Sequence, residues 1–521
     1  MRASIQDVFR LWISRGVRTF GTALTFLHRF RVARSRATQR RLRARYRITA
    51  DTPIVHHGPA LSEQIAAKAG DAAVFATTSG SSGVPKRIPY TPARVRQVKG
   101  LYMDAFCRAF SAMDVPRTSL YVFSTTGADD SLTSLMMSER SALPPYFSCL
   151  QAPYRVHGHP DLLALEEVYG RPAVRLWVMV LSNPGALYAT NPSTLALFLE
   201  RLAEQWEDTT ALVRAWSEKP ADFSKAVRQI AARLASVGAS ERTQGIATAD
   251  KPLSFLDCVP AVSFLCCWDG GYVRPYLERV WAKLPQHKVK HLPMYSMSTE
   301  TVETLPDFRS GSLAFLPVGP GVLYEFLPVG AAVEAERLVA LSALEPGERY
   351  SMVVSDPWGL ARYHTEDVFR VEGHVAGLPD LRFERRLGLA FSFTGEKITG
   401  DDARYALDQI LALRPDLEPV PWLTVMPSAE PNPHYKLVVA SDQPVRDLDG
   451  LGNLLDKALA HGNQEYADKR RSGRLGPSQA VHLPFEEALQ DIGGQRPDRS
   501  WETQFKFLPL VTRTWETARE E

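Results

Sequence analysis

Short runs of β-branched and aromatic residues alternate with segments of helical period along most of this chain. The strand-like runs lie at residues 74–78, 86–91, 289–293, 322–328, 350–355, 368–371 and 381–385. Apolar residues recur with helical spacing at 92–110 and 193–206, and a polar helical stretch covers 209–249. Strands that alternate with helices predict an α/β fold.

The pattern changes at Gly395, where a second, smaller α/β unit begins. A helix is predicted at 401–413, strands at 422–426 and 434–440, and further helices at 451–469 and 485–491. A length of 521 residues accommodates two to four domains at about 150 residues each. We therefore divide the chain into a basic N-terminal helical segment (1–48), a large domain (49–386) and a small domain (394–521).

The first 48 residues are rich in arginine and contain a single acid, Asp7. Apolar residues at positions 9, 11, 12, 20 and 27 give the predicted helix an apolar side. A basic amphipathic helix can lie on an anionic membrane surface. It can also pack against its own domain and leave its arginines in solvent. We prefer the packed helix, and peripheral membrane contact through the N-terminus is the alternative.

Charge and cysteine content restrict the expected partners and compartment. The 61 basic and 58 acidic residues nearly cancel, so no nucleic-acid binding is expected. Five cysteines without a CxxC pair fit a reducing, cytoplasmic location. The longest uncharged stretch, 176–199, is interrupted by proline, glycine and asparagine. It predicts a strand, a turn and a helix rather than a membrane span.

A loop of small and hydroxyl residues, TTSGSSG at 77–83, lies between two strand-like runs. Successive small residues let backbone N–H groups turn inward, as they do in loops that wrap polyphosphates. Lys86 and Arg87 follow directly, but the Gly-Lys-Ser/Thr ending of the P-loop is absent. The same composition is typical of a flexible linker, so the loop alone leaves both interpretations open.

Residues 295–300 (YSMSTE) end a predicted strand with hydroxyl side chains and one acid. Glu300 can hold Mg²⁺, which prefers hard oxygen ligands and shares them with phosphates. The same residues suit a helix N-terminus, with Ser298 or Thr299 as the cap and Glu300 interacting favourably with the helix dipole. On local grounds the helix N-terminus is the preferred interpretation.

A third polar group begins with Asp367 in YHTEDV, at 363–368. An aspartate at a strand end can accept hydrogen bonds from both ribose hydroxyls. Arginines at 382–386 and Lys397 in a Gly-Glu-Lys phrase can face the same nucleotide. A surface hairpin of mixed charge is the alternative interpretation.

The order of these features resembles the adenylate-forming enzymes, and within them the auxin-responsive promoter family of acyl-acid amido synthetases and its bacterial relatives. The resemblance covers roughly residues 70–515. It is carried by TTSGSSGVPKRIPYT at 77–91, LYATNPSTL at 187–195, VLYEFLPV at 322–329, RYHTEDVFRV at 362–371, LRFERRLGLAFSFTGEKI at 381–398, PHYKLVV at 433–439, NQEYADKRRSGRLGP at 463–477 and QFKFLPL at 504–510. It implies a large adenylate-forming domain with mixed β-sheets and flanking helices, followed by a small mobile α/β C-terminal domain.

The resemblance also implies roles for individual residues. It places ATP on Thr78, Ser79, Gly80, Ser81, Ser82, Gly83, Lys86, Tyr295, Ser298 and Thr299. It implies that Glu300 holds Mg²⁺ beside the α-phosphate and that Asp367 binds the ribose. It places Arg386 at the hinge into the C-terminal domain, facing the nucleotide. Lys397, of the Gly-Glu-Lys phrase, and Lys506, which closes on the adenylate, are the other catalytic candidates.

Three positions depart from the family pattern. Ser296 stands four residues before Glu300, where the family usually has a tyrosine. Glu366 replaces the glycine of a Thr-Gly-Asp phrase, and Arg385 replaces a glycine before the hinge arginine.

The activity that the resemblance implies is ATP-dependent formation of an amide. A carboxylic acid attacks the α-phosphate of ATP, releases pyrophosphate and becomes an acyl adenylate. An amine, expected to be an amino acid, then takes the acyl group and releases AMP. An acyl-CoA ligase and a catalytically weak nucleotide-binding relative are the alternatives.

Overall fold

The structure, a computed structural model, describes ten stretches of the chain and four single positions. These are residues 5–56, 74–77, 87–123, 159–269, 273–294, 298–309, 311–393, 396–473, 475–493 and 506–520, with 61, 65, 132 and 135. They form two compact units that divide between Arg385 and Arg386.

The first unit begins with a long helix, α1 (Ile5–Arg45), which packs against α2 (Pro92–Ala112). Gly21 lies directly against the backbone of Cys107, where a Cβ atom would overlap. Buried His28 lies 3.2 Å from the carboxylate of Asp307. Burial lowers the pKa of His28, although the hydrogen bond to Asp307 acts in the opposite direction. One face of the arginine-rich helix is therefore part of the core.

A four-stranded parallel sheet lies next in the chain. Its strands are β3 (Leu120–Val122), β4 (Ala186–Ala189), β5 (Phe264–Cys267) and β6 (Lys290–Pro293), in that order. Its helices are α3 (Pro160–Tyr169), α4 (Arg171–Ser182), α5 (Pro192–Glu204), α6 (Trp206–Glu218), α7 (Lys225–Leu234), α8 (Ala239–Ala247), α9 (Phe255–Cys258) and α10 (Arg274–Lys283). Crossover helices between parallel strands bury both faces of such a sheet, which explains its continuous apolar strands.

The uncharged stretch 176–199 differs from its prediction. Its first part belongs to α4, which ends at Ser182 and is followed by Asn183 in a left-handed conformation, and the strand comes only at β4. The helix α5 then begins at Pro192, with the side chain of Asn191 accepting a hydrogen bond from the Ser193 N–H. The predicted initial strand was wrong because a buried helix and a buried strand are equally apolar.

Antiparallel strands form the rest of the first unit. The hairpins are β1 (Val74–Thr77) with β2 (Arg87–Tyr90), and β7 (Leu305–Arg309) with β8 (Ser312–Leu316). A five-stranded sheet has the order β10-β9-β11-β12-β13, comprising β9 (Leu323–Pro328), β10 (Val339–Ala340), β11 (Arg349–Ser355), β12 (Tyr363–Val375) and β13 (Leu378–Arg386). Its apolar residues share one core with those of β1, β2 and α2.

The second unit is a small α/β structure. A hairpin, β14 (Ala390–Phe391) with β15 (Ile398–Thr399), leads into α11 (Gly400–Leu413). A three-stranded sheet contains β16 (Trp422–Ser428), β17 (His434–Ala440) and β18 (Gln479–Leu483). The remaining α-helices are α12 (Leu448–Gly462), α13 (Gln464–Arg471), α14 (Phe485–Glu487) and α15 (Trp515–Glu520), and a π-helical turn, Ala488–Ile492, continues α14.

The predicted α/β architecture with mixed sheets and flanking helices is confirmed. Within the described part of the chain, no helix combines the length and the apolar character needed to cross a membrane.

Candidate active site

The hairpin β1–β2 determines where the hydroxyl loop begins and ends. Thr77 lies opposite Arg87 in the antiparallel register, so residues 78–86 connect the two strands. Thr78, Ser79, Gly80, Ser81, Ser82, Gly83 and Lys86 lie outside the described residues, as does Tyr295. What the structure describes is the strand that follows the loop and the contacts of that strand.

The segment that holds Glu300 is attached to β2 and α2 by buried hydrogen bonds. The Tyr90 hydroxyl donates to the carbonyl of Thr299 at 2.8 Å, and Arg94 donates to the carbonyl of Glu300 at 2.6 Å. Arg94 also donates to the carbonyl of Pro89 at 3.1 Å and lies over the Tyr90 ring, 4.4 Å from its centre. Burial raises the pKa of Tyr90 to about 12, so its hydroxyl remains a donor. Tyr90 is therefore a neutral hydrogen-bond donor here, and the Arg94 guanidinium is held by two backbone carbonyls.

Ser298 forms a turn rather than a helix cap. Its backbone N–H donates to the carbonyl of Thr301 at 3.1 Å, and its hydroxyl accepts from the Thr301 N–H at 3.2 Å. The chain then continues into β7, with no helix between residues 298 and 309. The predicted helix N-terminus was wrong, because a hydroxyl followed by an acid satisfies a tight turn as well as a helix end. Glu300 is buried at the end of this turn.

Asp367 lies within an irregularity of β12. On one side Ser351 lies opposite Val368, and on the other Val353 lies opposite His364. Residues 365–367 of β12 therefore face a single residue of β11. Such a bulge turns side chains away from the regular alternation and is frequent beside active sites.

The bulge gives a physical reason for the glycine that the family resemblance leads us to expect at position 366. The φ angle of Glu366 is 66°, in the left-handed region that glycine adopts at least cost. The Thr365 hydroxyl donates to the carbonyl of Met352 at 3.0 Å and accepts from the Asp367 N–H at 3.1 Å. These bonds stabilise the bulge. Residue 366 therefore keeps a left-handed backbone conformation although its side chain is that of glutamate.

Replacing Glu366 by glycine is expected to raise the free energy of unfolding by about 1 kcal/mol, because the left-handed penalty disappears. Glu366→Val should lower it by about 1–2 kcal/mol, since a β-branched residue tolerates this conformation poorly. Denaturant titration measures both changes. In the same strand, Glu372 is exposed and has no positive φ, so Glu372→Gly should destabilise. Equal effects of glycine at the two positions would contradict the assignment of strain to Glu366.

Glu303 joins these residues and was not predicted from the sequence. Its side chain is buried beside Asp367, Glu300 and Ser298. Burial raises the pKa of Glu303 well above its ordinary range, and the negative charge of Asp367 and a hydrogen bond to it act in the same direction. The hydrogen bond to Ser298 opposes the shift. The first unit thus brings together Ser298, Glu300 and Asp367, with Glu303, whose protonated form burial favours, among them.

Replacing Glu303 by glutamine is expected to increase stability more at pH 8 than at pH 4. The unfolded chain loses the Glu303 proton near the ordinary value of 4.5, whereas the native chain retains it. Because the unfolded chain then binds fewer protons, stability falls as pH rises above 4.5, and glutamine removes that loss. Denaturant midpoints at both pH values test this, with exposed Glu345→Gln as the control. A gain independent of pH would contradict the raised pKa.

The second unit holds the remaining predicted residues. Buried Glu396 accepts hydrogen bonds from the Phe393 N–H at 2.8 Å and the Tyr435 hydroxyl at 3.0 Å, so it stabilises the turn. Lys397 is exposed, and its carbonyl accepts from the Asn463 amide at 2.9 Å.

Lys506 precedes a segment that bonds to β16. The Val425 N–H donates to the carbonyl of Pro509 at 2.8 Å, and the Val511 N–H donates to the carbonyl of Val425 at 2.9 Å. Arg386 ends β13, at the division between the units, and its side chain lies outside the described residues.

Two models of GH3 family domains match this sequence. The GH3 family N-terminal domain matches residues 68–289, and the GH3 family central domain matches residues 315–386. An indole-3-acetic acid-amido synthetase, GH3.8 of Oryza sativa subsp. indica, is 32% identical over 196 residues, which are 36% of this chain and 30% of that protein. A jasmonoyl--L-amino acid synthetase, JAR6 of Nicotiana attenuata, is 28% identical over 247 residues, which are 42% of this chain and 39% of that protein.

The fold is similar to that of the AtGH3.15 acyl acid amido synthetase in complex with 2,4-DB. The TM-score is 0.65, with 16% identity, over 90% of this chain and 86% of that chain. The curated relatives match over a smaller part: the matched part of this chain spans about a third of their length.

Proposed function

Because this chain belongs to the GH3 family, we propose that it is an ATP-dependent acyl-acid amido synthetase. It would activate a carboxylic acid as an acyl adenylate with release of pyrophosphate. It would then transfer the acyl group to an amine, which we propose to be an amino acid. Relatives named indole-3-acetic acid-amido synthetase and jasmonoyl--L-amino acid synthetase support this class of reaction.

The observation that most supports the proposal is the hydrogen bond from Tyr90 to the carbonyl of Thr299. It joins the strand that follows the hydroxyl loop to the turn that holds Glu300, although more than two hundred residues separate them. The loop from Thr78 to Gly83, with Lys86, is proposed to bind the phosphates through its backbone N–H groups and hydroxyls. Asp367 is proposed to bind the ribose.

The donors around Glu300 suit Mg²⁺ that arrives with ATP. Glu300 and Asp367 offer carboxylate oxygens, and Glu303 Oε1 has no hydrogen-bond partner among the described residues. No group of three metal-ligating side chains occurs in the described part of the chain. Mg²⁺ in nucleotide-binding enzymes is commonly held by one or two carboxylates together with substrate phosphates. Glu300 would hold the ion, which supplies charge neutralisation between the two anionic reactants.

The first step requires two anions to approach, so positive charge and oriented N–H groups would provide most of the barrier reduction. Within this proposal Lys506 acts at the reacting phosphate, Lys397 near the nucleotide, and Arg386 at the hinge. Tyr295, Ser298 and Thr299 are proposed on the adenosine side of Glu300.

ATP–pyrophosphate exchange over a library of carboxylic acids tests the proposal. We expect exchange that depends on one class of acid, followed by amide formation when amino acids are added. Thioester formation with coenzyme A and no amide would identify an acyl-CoA ligase instead. ATP binding without exchange for any acid would identify a catalytically inactive relative.

Replacing Lys506 by alanine should reduce pyrophosphate exchange by a larger factor than it weakens ATP binding, because the lysine is proposed to act on the transition state. Exchange assays and calorimetric titration with ATP measure the two effects. Lys457→Ala, on an exposed position of α12, is the control and should leave both unchanged. Equal exchange in the Lys506 variant and the parent would refute this role.

A further inference from the structure

The outer face of α1 carries large apolar side chains that the fold leaves in solvent. Trp12 is 71% exposed, Phe26 is 73%, Leu27 is 58%, Phe30 is 54% and Phe20 is 47%. In the described part of the chain only three other large apolar side chains are exposed, and they are far apart in the sequence. The exposed large apolar side chains of this unit are therefore concentrated on one helix.

The geometry of the helix places these five residues on one stripe. At 100° per residue they fall within an arc of about 120°, and from residue 12 to residue 30 the stripe is about 27 Å long. The buried positions Val17, His28, Val32 and Ser35 lie on the opposite side. We call the five exposed residues the outer stripe. The buried residues of α1 contribute to the core of the unit, whereas the outer stripe does not.

The surroundings of the outer stripe are strongly basic. The sequence has no acid between Val8 and Ala50. Arg15, Arg29, Arg34 and Arg41 are exposed, and the Arg34 guanidinium lies over the Phe30 ring, 4.2 Å from its centre. A second copy of this chain would bring these arginines against one another, which is unfavourable. An anionic surface complements them.

We propose that the outer stripe binds the surface of an anionic lipid bilayer, with α1 lying flat at the interface. Aromatic and leucine side chains would enter the boundary between headgroups and acyl chains, and the arginines would contact the lipid phosphates. The inner face would remain packed on α2, so binding requires no unfolding of the unit. This inference is independent of the activity proposed above.

Flotation of the full chain with lipid vesicles tests the proposal. Vesicles of phosphatidylcholine alone are compared with vesicles that also contain phosphatidylserine. We expect flotation only with the anionic vesicles and its loss at high salt. The double variant Phe26→Ser/Phe30→Ser should lower the partition coefficient at least about tenfold, and Arg29→Gln/Arg34→Gln about tenfold or more.

The matched control is Val168→Ser/Leu413→Gln, which removes two apolar side chains elsewhere that are more exposed than Phe30 and should change nothing. Thermal unfolding must show that all variants fold as the parent does. Absence of flotation with anionic vesicles, or equal flotation of the Phe26/Phe30 variant, would overturn the proposal. Sedimentation that shows a dimer in the parent and a monomer in the Phe26/Phe30 variant would assign the stripe to a second copy instead.

Discussion

Replacing Glu300 by glutamine is expected to reduce acid-dependent ATP–pyrophosphate exchange by about 10²- to 10³-fold. Glutamine has the same size but no charge, so it would hold a divalent ion poorly beside the α-phosphate. The fold should persist, because the bond from Arg94 goes to the backbone carbonyl of residue 300 and not to its side chain.

Exchange assays at saturating ATP measure the loss, and the exposed substitution Glu345→Gln is the control. We expect the control to retain full exchange. A Glu300 variant that exchanges pyrophosphate as fast as the parent would remove this residue from the mechanism.

The second large effect is expected at a buried ion pair that joins the five-stranded sheet to the end of α1. Arg362 and Glu325 are each 3% exposed at their side chains and form two hydrogen bonds of 3.0 Å. Arg362 also donates to the carbonyl of Thr52 at 2.6 Å, and Arg43 lies 2.8 Å from Glu325. Arg362→Met should lower the free energy of unfolding by about 3–5 kcal/mol, because Glu325 is left buried with only one partly exposed partner.

Denaturant titration measures this loss, with Arg370→Met as the matched control. Arg370 pairs with Glu372 and Glu384 at the surface of the same sheet, so its replacement should cost at most about 1 kcal/mol. The double variant Arg362→Met/Glu325→Leu should recover part of the stability, since it removes both buried charges. A loss no larger than that of Arg370→Met would contradict the importance of the buried pair.

Local patterns in the sequence correctly predicted elements whose conformation depends mainly on their own residues. The helix at 92–110 was predicted from the helical spacing of its apolar residues, and the structure has α2 from Pro92 to Ala112, with Thr91 as its N-cap. The strands on either side of the hydroxyl loop were predicted from their β-branched residues and are β1 and β2. The inner face of α1 was expected to pack on its own domain, and it does.

Features that depend on distant parts of the chain were missed or misread. The turn at Ser298 was predicted as a helix end, because its attachment to Tyr90 and Arg94 is invisible in a local window. Glu303 is part of no recognisable motif. Its raised pKa depends in part on Asp367, which lies more than sixty residues later in the chain. The substitution at Glu366 was recorded as a departure, whereas its backbone angle shows that the glycine conformation persists. Tertiary contacts decide each of these three cases.

A crystal structure of the chain with Mg²⁺ and a non-hydrolysable ATP analogue tests the central claim most directly. The account predicts one nucleotide whose phosphate oxygens lie within hydrogen-bond reach of residues 78–83, with the Glu300 carboxylate at the metal beside the α-phosphate. A nucleotide bound elsewhere, or one that contacts only one of these two segments, would contradict it.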